Sequence, residues 1–153
     1  MKKLIFLSIF IIVSFTTKAQ TLEQTMDFIE ANIQNYALDK EFSTKCSKNA
    51  LQKTTSILAA ERSRRDFTQI YMKDIKSVAY STADNGVIII AVVGNCSLYS
   101  FDELKKDEVG PSSISIVLLS STPIEIVNRI IKAIKHGATL EGAILIDEDL
   151  FKD

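Results

Sequence analysis

Three arginines within four residues are the sharpest chemical signal in the chain: Arg62, Arg64 and Arg65, set around Ser63. Gathered in one hairpin turn, their planar guanidinium forks could grip a phosphate or a carboxylate bidentately. Glu61 and Asp66 flank the same turn, and pairing with them accounts for the arginines as a solvated hairpin. The two cysteines, Cys46 and Cys96, offer redox chemistry. A disulfide closing about 50 residues would stabilise the fold by about 4 kcal/mol. Two separate buried thiols acting as small hydrophobes are the other reading, and spacing leaves both open. His136 is the single histidine. As a catalyst it would need a nucleophile and an orienting group, and the spacing of Cys96 after Gly94-Asn95 does not supply them. Near a helix C-terminus it more simply complements the dipole and the last carbonyls. Asp147, Glu148 and Asp149 lack the spacing of a calcium loop. Ser112-Ser113 and Ser120-Ser121 stand in no G-x-S-x-G context. The chain has no phosphate loop, dinucleotide fingerprint, H-E-x-x-H or C-x-x-C. The expectation is therefore no catalytic residue, no cofactor site and no metal site.

The elements that must position these residues begin with two helices. Leu22, Met26, Ile29, Ile33 and Tyr36 recur at helical spacing over residues 21–36, and Thr21 with Gln24 forms a capping box. That stripe is expected to pack on the outside of a sheet. The second helix is the best-specified element. Thr122 is the expected N-cap, Pro123 the first helical residue, Glu125 the partner in a T-x-x-E box, and Gly137 the C′ residue. Ile126, Val127, Ile130, Ile131 and Ile134 form its apolar face, with Ala133 and Ala138 near the edges.

Between the helices the period falls to two. Strands are expected over residues 42–46, 54–60, 67–72, 75–81, 87–93, 96–101 and 114–119. Turns are read at Ser47-Lys48-Asn49, Lys73-Asp74, Ala83-Asp84-Asn85-Gly86 and Gly94-Asn95, and a charged loop over residues 102–111. Asn85-Gly86 suits a type I′ hairpin, with φ > 0 at both residues. The run Val87 to Val93 is mostly β-branched and reads as buried on both faces. Tight turns between neighbours imply an antiparallel meander. Phe28, Phe42, Phe67, Tyr71, Tyr80, Tyr99 and Phe101 read as core or sheet-face residues. A polar tail follows, partly ordered through Ile144, Leu145 and Ile146.

The first residues read as an address. Lys2 and Lys3 precede a nearly unbroken apolar run over residues 4–15, and Thr17-Lys18-Ala19 supplies small residues at −3 and −1. Residues 1–19 are expected to be a bacterial signal peptide cleaved after Ala19, too short to span as an anchor. Residues 20–153 then form one domain in the periplasm or outside the cell. Cleavage leaves 15 basic against 19 acidic residues, about −4, so no general attraction to nucleic acid or anionic lipid is expected. Contact with the membrane is expected only through the signal peptide before cleavage.

A helix, about seven short strands and a terminal amphipathic helix resemble the pleckstrin-homology-like (PH-like) domain. Ile70-Tyr71-Met72-Lys73-Asp74-Ile75-Lys76-Ser77-Val78 resembles the strand–"dI"–strand passage common in such domains. The segment from Glu125 to His136 is similar to the last helix of small exported bacterial proteins of this kind. The resemblance covers most of residues 42–138. It implies an α+β fold: an N-terminal helix, a meander forming a barrel or strongly bent sheet, and a C-terminal capping helix. A lipocalin-like barrel is the alternative fold. Family members that bind phosphoinositides use basic residues in an early strand-connecting loop, and Arg62, Arg64 and Arg65 lie one connection later. The resulting expectation is a non-enzymatic binding module for a protein or peptide partner. A carrier of a small apolar ligand, with a cavity along Val87 to Val93, is the alternative.

Overall fold

The computed structural model describes residues 21–40, 44–59, 62–100 and 106–146. The expected signal peptide and the acidic run Asp147-Glu148-Asp149 lie outside them. No described helix is long and apolar enough to cross a membrane. The fold is α+β, two helices and a five-stranded antiparallel sheet that does not close. The elements run α1 (Leu22–Tyr36), β1 (Lys45–Ser47), β2 (Ala50–Ala59), β3 (Arg62–Thr82), β4 (Ile88–Ser100), β5 (Lys106–Leu118) and α2 (Ile124–Leu140), and the sheet order is β1-β2-β3-β4-β5.

Five strands stand where about seven were expected, because two turn signals lie inside continuous strands. Lys73-Asp74 falls within β3, where the pairing jumps from Ile70↔Cys96 to Ile75↔Gly94. Gly94-Asn95 falls within β4, opposite that jump, and Asn95 pairs with Pro111 of β5. Turn-forming residues thus line up across three adjacent strands and bend them together, as bulges do. Gly94 is required there. A Cβ at this position would overlap the Asp74 carbonyl oxygen and Ile70 Cδ1. The charged segment expected to be a loop is partly strand as well, since Lys106 to Pro111 belong to β5.

The helices cover one face of the sheet. Met26, Ile29 and Ile33 of α1 and Val127, Ile130, Ile134 and Ala138 of α2 meet Leu51, Ile70, Met72, Ile90, Ile114 and Ile116 in one core. Each of the valine, leucine, isoleucine and methionine side chains contributes about 1.5–3 kcal/mol on burial. α1 begins as expected, with Thr21 and Gln24 forming a complete capping box. α2 does not. Thr122 is buried, its hydroxyl donates to the Leu119 carbonyl at 2.7 Å, and Pro123 is the N-cap with no side-chain cap bond. Gly137 is not the C′ residue either. It lies inside α2 because its missing side chain leaves room for Met72 Sδ and Thr25 Cγ2, each 3.4 Å from where a Cβ would sit. The helix stops at Leu140, and Gly142, with φ +83, turns the chain. In the hairpin between β3 and β4 only Gly86 has positive φ, and Gly86 N–H donates to Ala83. This is a turn followed by a left-handed glycine rather than type I′. Ile88, Ile90 and Val92 are buried, while Val93 is exposed, so β4 is buried fully on one face only.

Candidate partner-binding edge

Arg62, Arg64 and Arg65 do not form a turn. Their backbone opens β3 and pairs with Ala59, Ile57 and Ser56 of β2.

Cys46 and Cys96 are free thiols, so the disulfide reading is corrected. The register explains it. Cys46 pairs with Leu51, Leu51 with Ile70, and Ile70 with Cys96, one row across four strands. Three spacings of about 4.8 Å separate the ends, against the roughly 7 Å within which Cα atoms can be bridged. Cys46 lines a groove of about 740 Å³ together with Leu22, Met26, Asp27, Glu30 and Glu141. Burial, with Glu30 and Asp27 adding to it, pushes its pKa up to about 12. Burial also raises that of Cys96, against the Ser112 hydrogen bond that lowers it. Neither is an activated nucleophile. His136 lines a different hollow, with Phe28, Arg129 and Lys132, and neither cysteine is among its walls. Among the described residues no group of three or more His, Cys, Asp or Glu side chains is placed to hold a metal ion.

The backbone of the sheet margins tells more. A strand edge is a row of unpaired N–H and C=O groups, and folded proteins cover or blunt it. β1 is only three residues long. On β5, Leu38 N–H donates to the Val117 carbonyl at 3.0 Å, and Lys53 Nζ reaches from β2 to the Ser115 carbonyl at 2.6 Å. Lys53 shares a cavity of about 160 Å³ with Ile33, Leu38, Thr44 and Val117, and burial there lowers its pKa. The sheet therefore coils until β2 and β5 are stitched by one ammonium group.

β3 is different. Its pairing with β2 ends at Tyr71↔Ala50, and Met72 N–H still finds the Asn49 carbonyl at 2.8 Å. Beyond that point β3 runs on to Thr82 with only β4 beside it. The Lys76 carbonyl accepts from Ile146 N–H at 2.7 Å. At the far end Ala83 N–H donates toward β4, to Val87 at 2.9 Å. These two bonds fix the alternation. Residues 77, 79 and 81 bond to β4, and Val78, Tyr80 and Thr82 turn their N–H and C=O groups outward. Among the described residues those outward groups meet no backbone partner. Tyr80, Ile144 and Ile146 are exposed apolar residues of this region, and Lys73 and Lys76 are exposed on the same strand. Sequence reasoning read residues 75–81 as a strand but not as an edge. The usable signal was length, since the segment before β3 is too short to pair with all of it.

Comparison with protein-family models, with curated proteins and with solved structures gave no match. The site is therefore read from its own geometry.

Proposed function

We propose that this is a non-enzymatic, exported PH-like binding module that takes an extended segment of a protein partner along residues 78–82 of β3. The supporting observation is the outward-facing backbone of Val78, Tyr80 and Thr82, whose groups meet no backbone partner among the described residues. Strand addition draws affinity from main-chain hydrogen bonds and specificity from side chains beside the edge. Tyr80 offers such a contact, being 44 % exposed. The PH-like part of this reading rests on the sequence resemblance; the sheet has five strands and does not close. A carrier of a small apolar ligand would need open volume along β4, but Ile88, Ile90 and Val92 are buried in the packed core, and that reading is set aside.

The test uses tagged protein exported in its native cell, recovered with whatever it holds. Tyr80→Pro deletes an N–H that faces away from β4, so the ladder loses no bond. Wild type is expected to retain a stoichiometric protein partner and the variant to lose it, with thermal stability unchanged. A partner retained equally by both would overturn the edge as its site.

A further inference from the structure

Charge is sorted between the two helices. All three acids of α1, Glu23, Asp27 and Glu30, line the groove beside Cys46. On α2 the balance is reversed. Glu125, in its first turn, is its one acid, against Arg129, Lys132 and Lys135. Arg129, Lys132 and His136 follow one another at spacings of three and four, which puts them on one face of the helix. Together with Phe28 of α1 and Ala133 they line a hollow of about 310 Å³. Arg129 and Lys132 are exposed, Phe28 and His136 half-buried, and Ala133 buried. Among the described residues no carboxylate lines this hollow.

We propose that this hollow binds the phosphate group of a small phosphorylated molecule. Arg129 Cζ lies over the Phe28 ring, 5.1 Å from its centroid. Stacking takes up the face of a guanidinium and leaves its in-plane N–H groups, the donors that suit phosphate oxygens. Lys132 adds a second permanent charge to the same walls. A carboxylate would answer only one of these two cations. A phosphate monoester answers both, with a charge of about −1.5 to −2 at pH 7 spread over three acceptor oxygens. Phe28 and Ala133 offer apolar surface to the carbon part of the ligand. The volume lies near the lower end of small-molecule sites, roughly 300–1,000 Å³. The chain as a whole has a formal charge of −1, so the attraction belongs to this hollow and not to the protein at large. None of residues 78–82 is among its walls, so the site is independent of the β3 edge and of the reading above.

The experiment titrates glycerol 3-phosphate into the full exported chain at constant ionic strength, read by residue-resolved NMR shifts. Saturable shifts at Phe28, Arg129 and Ala133 are expected. Arg129→Gln and Lys132→Gln should each weaken binding about tenfold or more, as loss of a charged hydrogen-bond donor does. Lys135→Gln removes the same charge from α2 at a position that does not line the hollow, and should bind as wild type does. Arg129→Lys keeps the charge and gives up the planar fork. It should fall between wild type and Arg129→Gln, a grading that mere loss of folding would not produce. Phosphatidylcholine vesicles carrying phosphatidic acid present the same monoester on a lipid. Saturable binding of glycerol 3-phosphate supports the proposal with a free phosphate as the ligand. Binding confined to the phosphatidic acid vesicles, and lost in Arg129→Gln and Lys132→Gln, supports it with a lipid headgroup as the source. Absence of both, or equal weakening by Lys135→Gln, overturns it.

Discussion

At Cys46 three influences act in one direction, because burial, Glu30 and Asp27 all disfavour the thiolate. The folded pKa of about 12 lies above the ordinary 9.0. At pH 9 an unfolded chain has about half its Cys46 ionised and the folded chain about a thousandth. Alkylation of the folded protein at that pH is expected to be slower by two to three orders of magnitude than in denaturant, read by mass spectrometry. The sign for stability follows. The raised thiol costs nothing below pH 9, and stability falls as pH rises from 9 toward 12, as the unfolded state releases its proton first. Lys53 works the other way. Its folded pKa lies below 10.5, so the unfolded chain binds the extra proton and stability rises with pH in the window just below 10.5. Denaturant unfolding of wild type and Lys53→Met from pH 8 to 10.5 should show wild type gaining on the variant. A constant difference would show that Lys53 is as well hydrated in the fold as outside it.

The two helices divide sharply in how their ends are made. Thr21 caps α1 through both bonds of its box, so Thr21→Ala should cost about 1 kcal/mol. Thr122 looks the same in sequence, followed by proline and a glutamate at the right spacing. In the fold its hydroxyl holds the Leu119 carbonyl in the turn that brings β5 into α2. Thr122→Ala should therefore loosen that turn and leave the helix start intact, which exchange of the first-turn amides of α2 distinguishes. The apolar stripes of both helices were legible because helical periodicity and burial coincide. The caps were legible only where no carbonyl of the preceding turn competed for the hydroxyl. Gly137 shows the same limit: a glycine near a helix end reads as a stop, yet here it makes room for Met72.

Over the whole molecule, the α+β class, the meander and the closing helix could be read from the order of periodicities. The strand count could not, because Lys-Asp and Gly-Asn serve a turn and a bulge equally well. Only the cross-strand register distinguishes a reversal from a bend. The open half of β3 was illegible for a related reason, since being an edge belongs to the neighbours rather than to the residues 78–82 themselves. Gly94 carries the largest structural prediction. Gly94→Ala drives a methyl into the Asp74 carbonyl, a backbone atom that cannot rotate away, and should cost 1–3 kcal/mol or about that. Chemical unfolding measures it, and a neutral result would mean that β3 yields at the bend. The same contact has a bearing on how the chain finds its pairing. A hairpin of long strands, one of them opening on a run of isoleucine and valine, has several tempting alignments, each displaced by a step from the native one. At this corner only a residue without a side chain can face Asp74, and Gly94 has Val93 and Asn95 on either side. An alignment displaced by one residue brings one of those against the carbonyl and is rejected sterically, so a single hydrogen atom acts as the proofreader of the pairing between β3 and β4.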